Sequence, residues 1–434
     1  KMKKIAALLF AVGVSAPAFA TNGYFSHGYG MKAKGMAGAA TATASDAMGG
    51  ANNPASMVFA GDRLDVGIDW FSPKREASRT GSTFGGGTTA DFSEKSGSNN
   101  FLVPEFGYNM MLGEKMSLGI TVYGNGGMNT DYNSGTAIPA GNCGAAAANP
   151  LCGSGKLGVN LEQLIVAPTF AYKINASNAI GVSPLFVYQR FSEDGLQAFA
   201  GLSSDATKLF NQGHDSATGW GVRLGWQGKV SDSVTLGAAY SPEINMSKFK
   251  RYAGLLAEQG DFDIPANWNL GVAFKATPTV TIAVDYQHIQ YADVKSVANS
   301  AVASFPAAAV PGSPFQLGNS EGLGFGWSNI DIVKLGVEYK YNDKLTLRAG
   351  FNKGGNPVKS GEQTFNILAP GVVTDHYTLG MTYGVTKDSE LTVAYMHAKE
   401  NSVSGGTNPY FGAGGTETIK MYQNSLGIAY GMKF

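Results

Sequence analysis

From Arg63 onward, bulky apolar residues alternate with small or polar ones at a spacing of two, segment after segment. Trp220, Val222, Leu224 and Trp226 alternate with Gly221, Arg223, Gly225 and Gln227. Trp268, Leu270, Val272 and Phe274 do the same against Asn269, Gly271, Ala273 and Lys275, as do Tyr377, Leu379, Met381, Tyr383 and Val385 against Thr378, Gly380, Thr382, Gly384 and Thr386. A period of two puts the two sets on opposite faces of a strand. In a soluble sandwich the bulky face would meet a second sheet. In a transmembrane barrel it meets lipid, while small and polar residues line the lumen.

Two features favour the barrel. Very short turns (Gly113-Glu114-Lys115, Asn175 to Asn178, Ser231-Asp232, Lys387-Asp388) alternate with long Gly/Ser/Asn-rich connections such as Thr80 to Ser98, Asn133 to Gly155 and Asn299 to Gly324. That asymmetry separates periplasmic turns from extracellular loops. Leu426, Ile428, Tyr430, Met432 and Phe434 also form an alternating strand with a terminal aromatic, a common ending for outer-membrane barrels. The pattern predicts fourteen strands, the even number a closed antiparallel barrel requires: 63–79, 99–112, 116–132, 157–173, 179–195, 218–231, 233–248, 266–277, 280–297, 325–342, 344–357, 372–387, 389–403 and 418–434. The expected fold is therefore all-β, a 14-stranded antiparallel transmembrane β-barrel over residues 63–434.

Residues 21–62 do not alternate. They are rich in glycine and alanine, with Met31, Met36, Met48, Met57 and Phe59 as apolar anchors and a break at Asn53-Pro54. Small side chains with such anchors suit a plug, or hatch, of short helices and turns inside the lumen, rather than a disordered tail. Before it, Lys1, Lys3 and Lys4, the apolar run Ile5 to Val14 and Ala18-Phe19-Ala20 read as a signal peptide over residues 1–20.

Composition adds exclusions. Lys plus Arg equals Asp plus Glu at 32 each, so the basic face that a nucleic-acid partner needs is not expected. Cys143 and Cys152 sit in a loop of small residues without nearby His or carboxylates, which favours a disulfide over a metal site. Gly318-Asn319-Ser320-Glu321-Gly322 spells a nucleophile-elbow pattern but lies in a loop without the strand and helix that strain the serine. Gly28 to Ala33 mimics a dinucleotide fingerprint without the βαβ context. His27, His214, His288, His376 and His397 show no metal-ligand spacing. No catalytic residue, cofactor or metal is expected.

A Gly/Ala-rich stretch, an Asp, then Asn53-Pro54-Ala55 leading into a first strand resembles the FadL/TodX family of outer-membrane transporters of long-chain fatty acids and aromatic hydrocarbons. The resemblance spans the whole layout after residue 20. It implies a monomeric barrel in outer-membrane lipid and lipopolysaccharide, with that tripeptide beside an internal ligand pocket. It also implies a kink in the third strand that opens the wall sideways. Gly124-Asn125-Gly126-Gly127 is the candidate here, since glycines weaken a strand. Pairing Leu112 with Met116 across the first turn sets Pro104, which cannot donate to the ladder, opposite Gly124. The lateral opening is expected between strands two and three at that point. Pro168, Pro184 and Pro242 read as bulges.

The function implied is passive transport of hydrophobic compounds, either fatty acids or hydrocarbons, by extracellular capture, plug movement and lateral release. Capture would use two loops with near-helical apolar spacing: Leu196, Phe199, Leu202 and Phe210, then Phe249, Tyr252, Leu255 and Leu256. Ala301 to Phe315 is a third contributor. Arg190, Arg223 and Lys334 are candidates to face a carboxylate. The competing readings are a general porin for polar solutes and a surface adhesin or receptor.

Overall fold

The computed structural model describes residues 22–84, 87–144 and 146–434. The segment read as a signal peptide lies outside them. Fourteen long antiparallel strands follow one another around the sheet: β1 (Arg63–Thr80), β2 (Phe101–Leu112), β3 (Met116–Tyr132), β4 (Leu157–Lys173), β5 (Asn178–Asp194), β6 (Asp215–Lys229) and β7 (Val234–Ser241). They continue as β8 (Asn267–Lys275), β9 (Val280–Ile289), β10 (Ile330–Lys340), β11 (Leu345–Gly354), β12 (Asp375–Gly384), β13 (Ser389–Gly406) and β14 (Thr416–Lys433). β14 pairs with β1 from Arg63↔Lys433 to Thr80↔Thr416, which closes the ring. Closure removes the unpaired edges that a membrane would not tolerate. Among the described residues, no helix is long and apolar enough to cross a membrane.

The alternation behaves as the pattern requires. Val66, Ile68, Trp70, Leu426, Ile428 and Tyr430 face outward and stay exposed, while Asp65, Asp69, Glu105, Asn109, Asn352 and Thr378 are buried toward the inside. Residues Met31–Lys34, Gly49–Asn52, Pro54–Ser56 and Met57–Ala60 form single helical turns. They touch β2 to β6 on one side and β12 to β14 on the other, so the segment occupies the lumen.

The strand limits depart from the sequence pattern at the long loops. The strand expected over 233–248 stops at Ser241, because Pro242 cannot donate and the chain turns inward to pair Ile244 with Ile264. The strand expected to reach 297 stops at Ile289 and gives way to helical turns at Tyr291–Asp293 and Lys295–Ala298. The one expected from 325 starts at Ile330. Alternation alone cannot tell a lipid-facing strand from an extended loop with a buried face. A short strand, Phe92–Lys95, pairs with β1 in the first long loop. Pro168 and Pro184 are not bulges. The register Val166↔Phe186 and Phe170↔Val182 places them opposite each other, so the β4–β5 ladder loses bonds without gaining a residue.

The long loops pack into one apolar cap over the barrel mouth. Phe199 contacts Phe305, Phe365 and Phe411 at ring distances of 6.0, 5.9 and 5.4 Å. Cys143 and Cys152 form a disulfide in one of these loops. A buried ion pair, Arg79 to Glu417 at 2.5 Å, ties β1 to β14. The same guanidinium donates to the carbonyls of Phe411 (3.2 Å), Ala90 (3.3 Å) and Pro150 (3.4 Å), which belong to three loops. Removing one partner strands a buried charge, at a cost of about 3–5 kcal/mol. Glu417→Leu is therefore expected to make the loops readily cleaved by protease on intact cells, and Arg79→Met with Glu417→Leu to recover much of the resistance. A Glu417→Leu single variant as resistant as the parent would show that this pair does not hold the cap.

Candidate functional site: a covered break in the wall and a cationic cavity

β2 and β3 are joined by the turn at Gly113, and their ladder runs from Leu112↔Met116 only as far as Phe106↔Val122. Among the described residues no β2–β3 pairing extends beyond it. In the same register Pro104 would face Gly124. On its other edge β2 continues to pair with β1 up to Phe71↔Phe101. β3 likewise continues against β4, with a register shift that leaves Asn125 as the extra residue between Gly124↔Leu164 and Gly126↔Gln163. From Tyr123 to Met128 every residue of β3 is buried, so the strand turns into the lumen here instead of presenting one face to lipid. Toward the loops the two sides rejoin where the Gly97 amide donates to the Asp131 carbonyl at 2.6 Å. The β2–β3 ladder is therefore interrupted over a stretch bounded at both ends, and this interruption is the β2–β3 window.

The N-terminal segment fills the free edge of β3. The Gly127 amide donates to the Tyr24 carbonyl at 3.0 Å, and the Ser26 amide to the Asn125 carbonyl at 3.1 Å. A Cβ added at Gly126 would collide with the Tyr24 carbonyl oxygen, so the close approach requires glycine. Asn125 is also held by its side chain, which accepts from the Tyr29 hydroxyl at 2.8 Å and donates to Gln163 at 2.9 Å. Tyr24 and Phe25 insert their rings among loop aromatics: Tyr24 lies 5.0 Å from Tyr291 and 6.0 Å from both Phe262 and Trp327.

The rest of the plug is bolted by carboxylates projecting inward from the wall. Glu105 accepts from the amides of Gly30 (3.2 Å) and Met31 (3.1 Å). Asp285 accepts from Ala40 (2.9 Å) and Thr41 (2.8 Å), and Asp65 from Ala47 (2.8 Å). Lys34 pairs with Asp69 at 2.8 Å, and Lys32 with Glu390 at 2.5 Å. Asn53 donates to the carbonyls of Thr41 (2.7 Å) and Trp226 (2.9 Å) and accepts from the Ala55 amide, which fastens Asn53-Pro54-Ala55 to β6. Bonds with an ionised partner, as in the Lys34–Asp69 and Lys32–Glu390 pairs, are the stronger ones. Among the described residues, none of the ion pairs involves 22–29.

Beneath Phe25 a cavity is lined by Tyr29, Tyr123, Ile165, Leu185 and Ile244, by the polar Thr41, Asn52, Asn125, Asn267, Asn269 and Gln287, and by Arg223 and Lys334. Arg223 donates to the Asn52 carbonyl (3.1 Å) and to Asn267 (3.1 Å), and Lys334 to the His27 carbonyl (3.0 Å). Neither cation forms a close ion pair among the described residues and both donate to neutral oxygens, although Lys334 stands across the β9–β10 ladder from Asp285. Arg190 differs: its partner is Glu162 at 3.9 Å, beside the exposed Tyr188, and it does not line the cavity.

The loop residues expected to capture a ligand lie within the cap. Leu196, Phe199, Leu202, Phe249, Tyr252, Leu255 and Leu256 are buried in the cap, and Phe210 is half-buried. Their apolar spacing reflects packing between loops. Sequence reasoning missed Tyr24, Phe25 and the inward carboxylates. Aromatics in a Gly/Ala stretch, and acids on the small-residue face of strands, were the available signals.

The architecture is that of an outer-membrane barrel with an occupied lumen. The chain belongs to the outer membrane protein transport family (OMPP1/FadL/TodX), whose model matches residues 7–433. The fold is shared with the Pseudomonas putida toluene transporter TodX, at 20% identity and a TM-score of 0.66 over 94% of this chain and 99% of that one. It is shared with the Ralstonia pickettii toluene transporter TbuX (18% identity, TM-score 0.63, 94% and 99% covered). A Pseudomonas aeruginosa FadL homologue aligns at 15% identity and a TM-score of 0.66 over 95% and 100%. No curated protein matches by sequence.

Gly126→Val should push the Tyr24 carbonyl off the edge of β3. A thiol placed at Ser26 is then expected to react with a maleimide at least about tenfold faster than in the parent, since the protection depends on these local bonds. An unchanged labelling rate in a correctly assembled barrel would mean that the segment is held by its other contacts.

Proposed function

We propose that this protein passively carries hydrophobic carboxylates, of the long-chain fatty acid class, across the outer membrane and releases them sideways through the β2–β3 window. The reading rests on the cavity, where Ile165, Leu185 and Ile244 stand beside two buried cations, Arg223 and Lys334, that donate only to neutral oxygens. Desolvated cations favour an anion that can replace water, and an alkyl chain gains about 0.8 kcal/mol for each methylene buried. A wide aqueous channel would offer that chain nothing. Exit would follow when residues 22–28 leave the edge of β3 while the plug body stays bolted. The loop residues around Phe199 and Leu255 would admit the ligand as the cap loosens. A downhill sequence of sites needs no energy source.

Toluene and related hydrocarbons form the second reading, favoured by the likeness to the toluene transporters TodX and TbuX. The test is uptake of radiolabelled oleate and of toluene by cells lacking their own transporter. Arg223→Gln combined with Lys334→Gln is expected to reduce oleate uptake at least about tenfold, as loss of a charged partner would, and to leave toluene unchanged. Equal loss of both, or loss of neither, would contradict a carboxylate site. Passage of small sugars without either hydrophobic compound would favour the porin reading.

A further inference from the structure

One side chain of the cap grips the segment that covers the window. Tyr291, two residues beyond the end of β9, is fully buried where its loop makes a helical turn over Tyr291–Asp293. Its hydroxyl meets three backbone groups of the N-terminal segment. It accepts from the amides of Tyr24 (3.1 Å) and Phe25 (3.3 Å) and donates to the Asn22 carbonyl (2.6 Å). One donor and two acceptor sites are all that a hydroxyl offers, so the group is wholly committed to residues 22–25. The backbone is shaped to receive it: Asn22 and Phe25 bond each other across a tight turn, and Gly23 inside that turn has φ +65°. A Cβ at Gly23 would lie 2.6 Å from the Tyr291 hydroxyl oxygen, so only glycine lets the turn wrap the phenol.

Tyr291 is braced in turn by the cap. The Gln290 amide donates to the Ala266 carbonyl at 3.0 Å, and the Ala292 amide to the Asn329 side chain at 2.8 Å. Trp327 packs edge-on against Tyr291 with ring centres 5.2 Å apart, and its own ring nitrogen donates to Asn366 at 2.6 Å. Tyr24 therefore lies between two attachments. Its amide reaches the cap through Tyr291, and its carbonyl accepts from Gly127 on the free edge of β3. A displacement of the β9–β10 loop would be felt at the window through this one hydroxyl.

We propose that Tyr291 is a latch, a positioning residue whose hydroxyl holds residues 22–25 against β3 and whose withdrawal with the β9–β10 loop frees them. The state of the outer cap then sets the state of the cover. Tyr291 does not line the cationic cavity, so it acts on the cover and not on a ligand held there. Replacing the hydroxyl by hydrogen keeps the ring and its packing but removes the acceptor of the buried Tyr24 amide, and an unmet buried donor is costly. The latch does not need the lateral route; only its effect on uptake rests on that reading.

The test is maleimide labelling of Ser26→Cys in the full chain held in amphipol, alone and combined with Tyr291→Phe, Asn329→Ala or both. Tyr291→Phe is expected to speed labelling at least about tenfold, the worth of one or two neutral hydrogen bonds, while the cap stays as resistant to protease as in the parent. Asn329→Ala removes only the brace at Ala292 and should speed labelling at least about threefold. It should add less than about twofold once the hydroxyl is gone, because the brace acts through that group. Faster labelling with oleate uptake unchanged would keep the latch and fault the lateral route. Labelling that Tyr291→Phe leaves unchanged, or effects of the two substitutions that simply multiply, would overturn the proposal. So would loss of protease resistance in Tyr291→Phe, since the tyrosine would then support the cap and not the cover. Should Tyr291→Phe not assemble, the response to Asn329→Ala decides: threefold faster labelling supports the latch and an unchanged rate overturns it.

Discussion

A strand in hydrocarbon cannot leave its amides and carbonyls unpaired, because lipid offers no replacement for water. Everything distinctive in this structure depends on that constraint. Thirteen ladders between consecutive strands and a fourteenth between β14 and β1 meet it around the ring. One of the thirteen, between β2 and β3, stops at Phe106↔Val122 and leaves an edge of β3 open. There the chain answers in two ways. β3 folds inward from Tyr123 to Met128, away from lipid, and residues 24–26 lend their backbone to its free edge. The break persists because the N-terminal segment covers it.

The plug divides accordingly. Residues 30–47 are held by carboxylates from β1, β2 and β9 and by the Lys32–Glu390 and Lys34–Asp69 pairs, most of them buried. Displacing that body would expose several charged groups to imperfect partners at once. Residues 22–29 carry no ion pair among the described residues, and depend on a few hydrogen bonds, one of them from Lys334 to the His27 carbonyl, and on aromatic packing against Tyr291 and Trp327. Local stability is lowest where such contacts are few. The proposed transport route needs only this weaker part to move, and its rings sit between the cap and the cationic cavity, so ligand passage and uncovering of the window would share one motion.

Much of the barrel was legible because lipid and lumen impose a strict period of two. β3 and β4 were read at their observed limits, and the Leu112↔Met116 register followed from a three-residue turn. The errors fall where that rule ends. Phe199, Leu255 and Leu256 have the spacing of an exposed amphipathic surface, yet they are buried, since contacts between distant loops are not encoded in local pattern. Pro242 was a readable stop that alternation overrode. Arg223 and Lys334 were recognisable as inward cations, whereas Arg190, on the opposite face of its strand, should have been excluded by counting parity along β5. Tyr24 could not be found without the fold, because what matters about it is what surrounds it.

The most direct test of the central claim fixes the cover in place. In a background lacking Cys143 and Cys152, cysteines at Ser26 and Asn125, which adjoin the Phe25↔Gly126 bridge, would join the N-terminal segment to β3. Oleate uptake should fall to the level of cells without the protein when this disulfide forms and return on reduction. Undiminished uptake by the fully cross-linked protein would show that the ligand leaves by another route and that the β2–β3 window is only a structural irregularity.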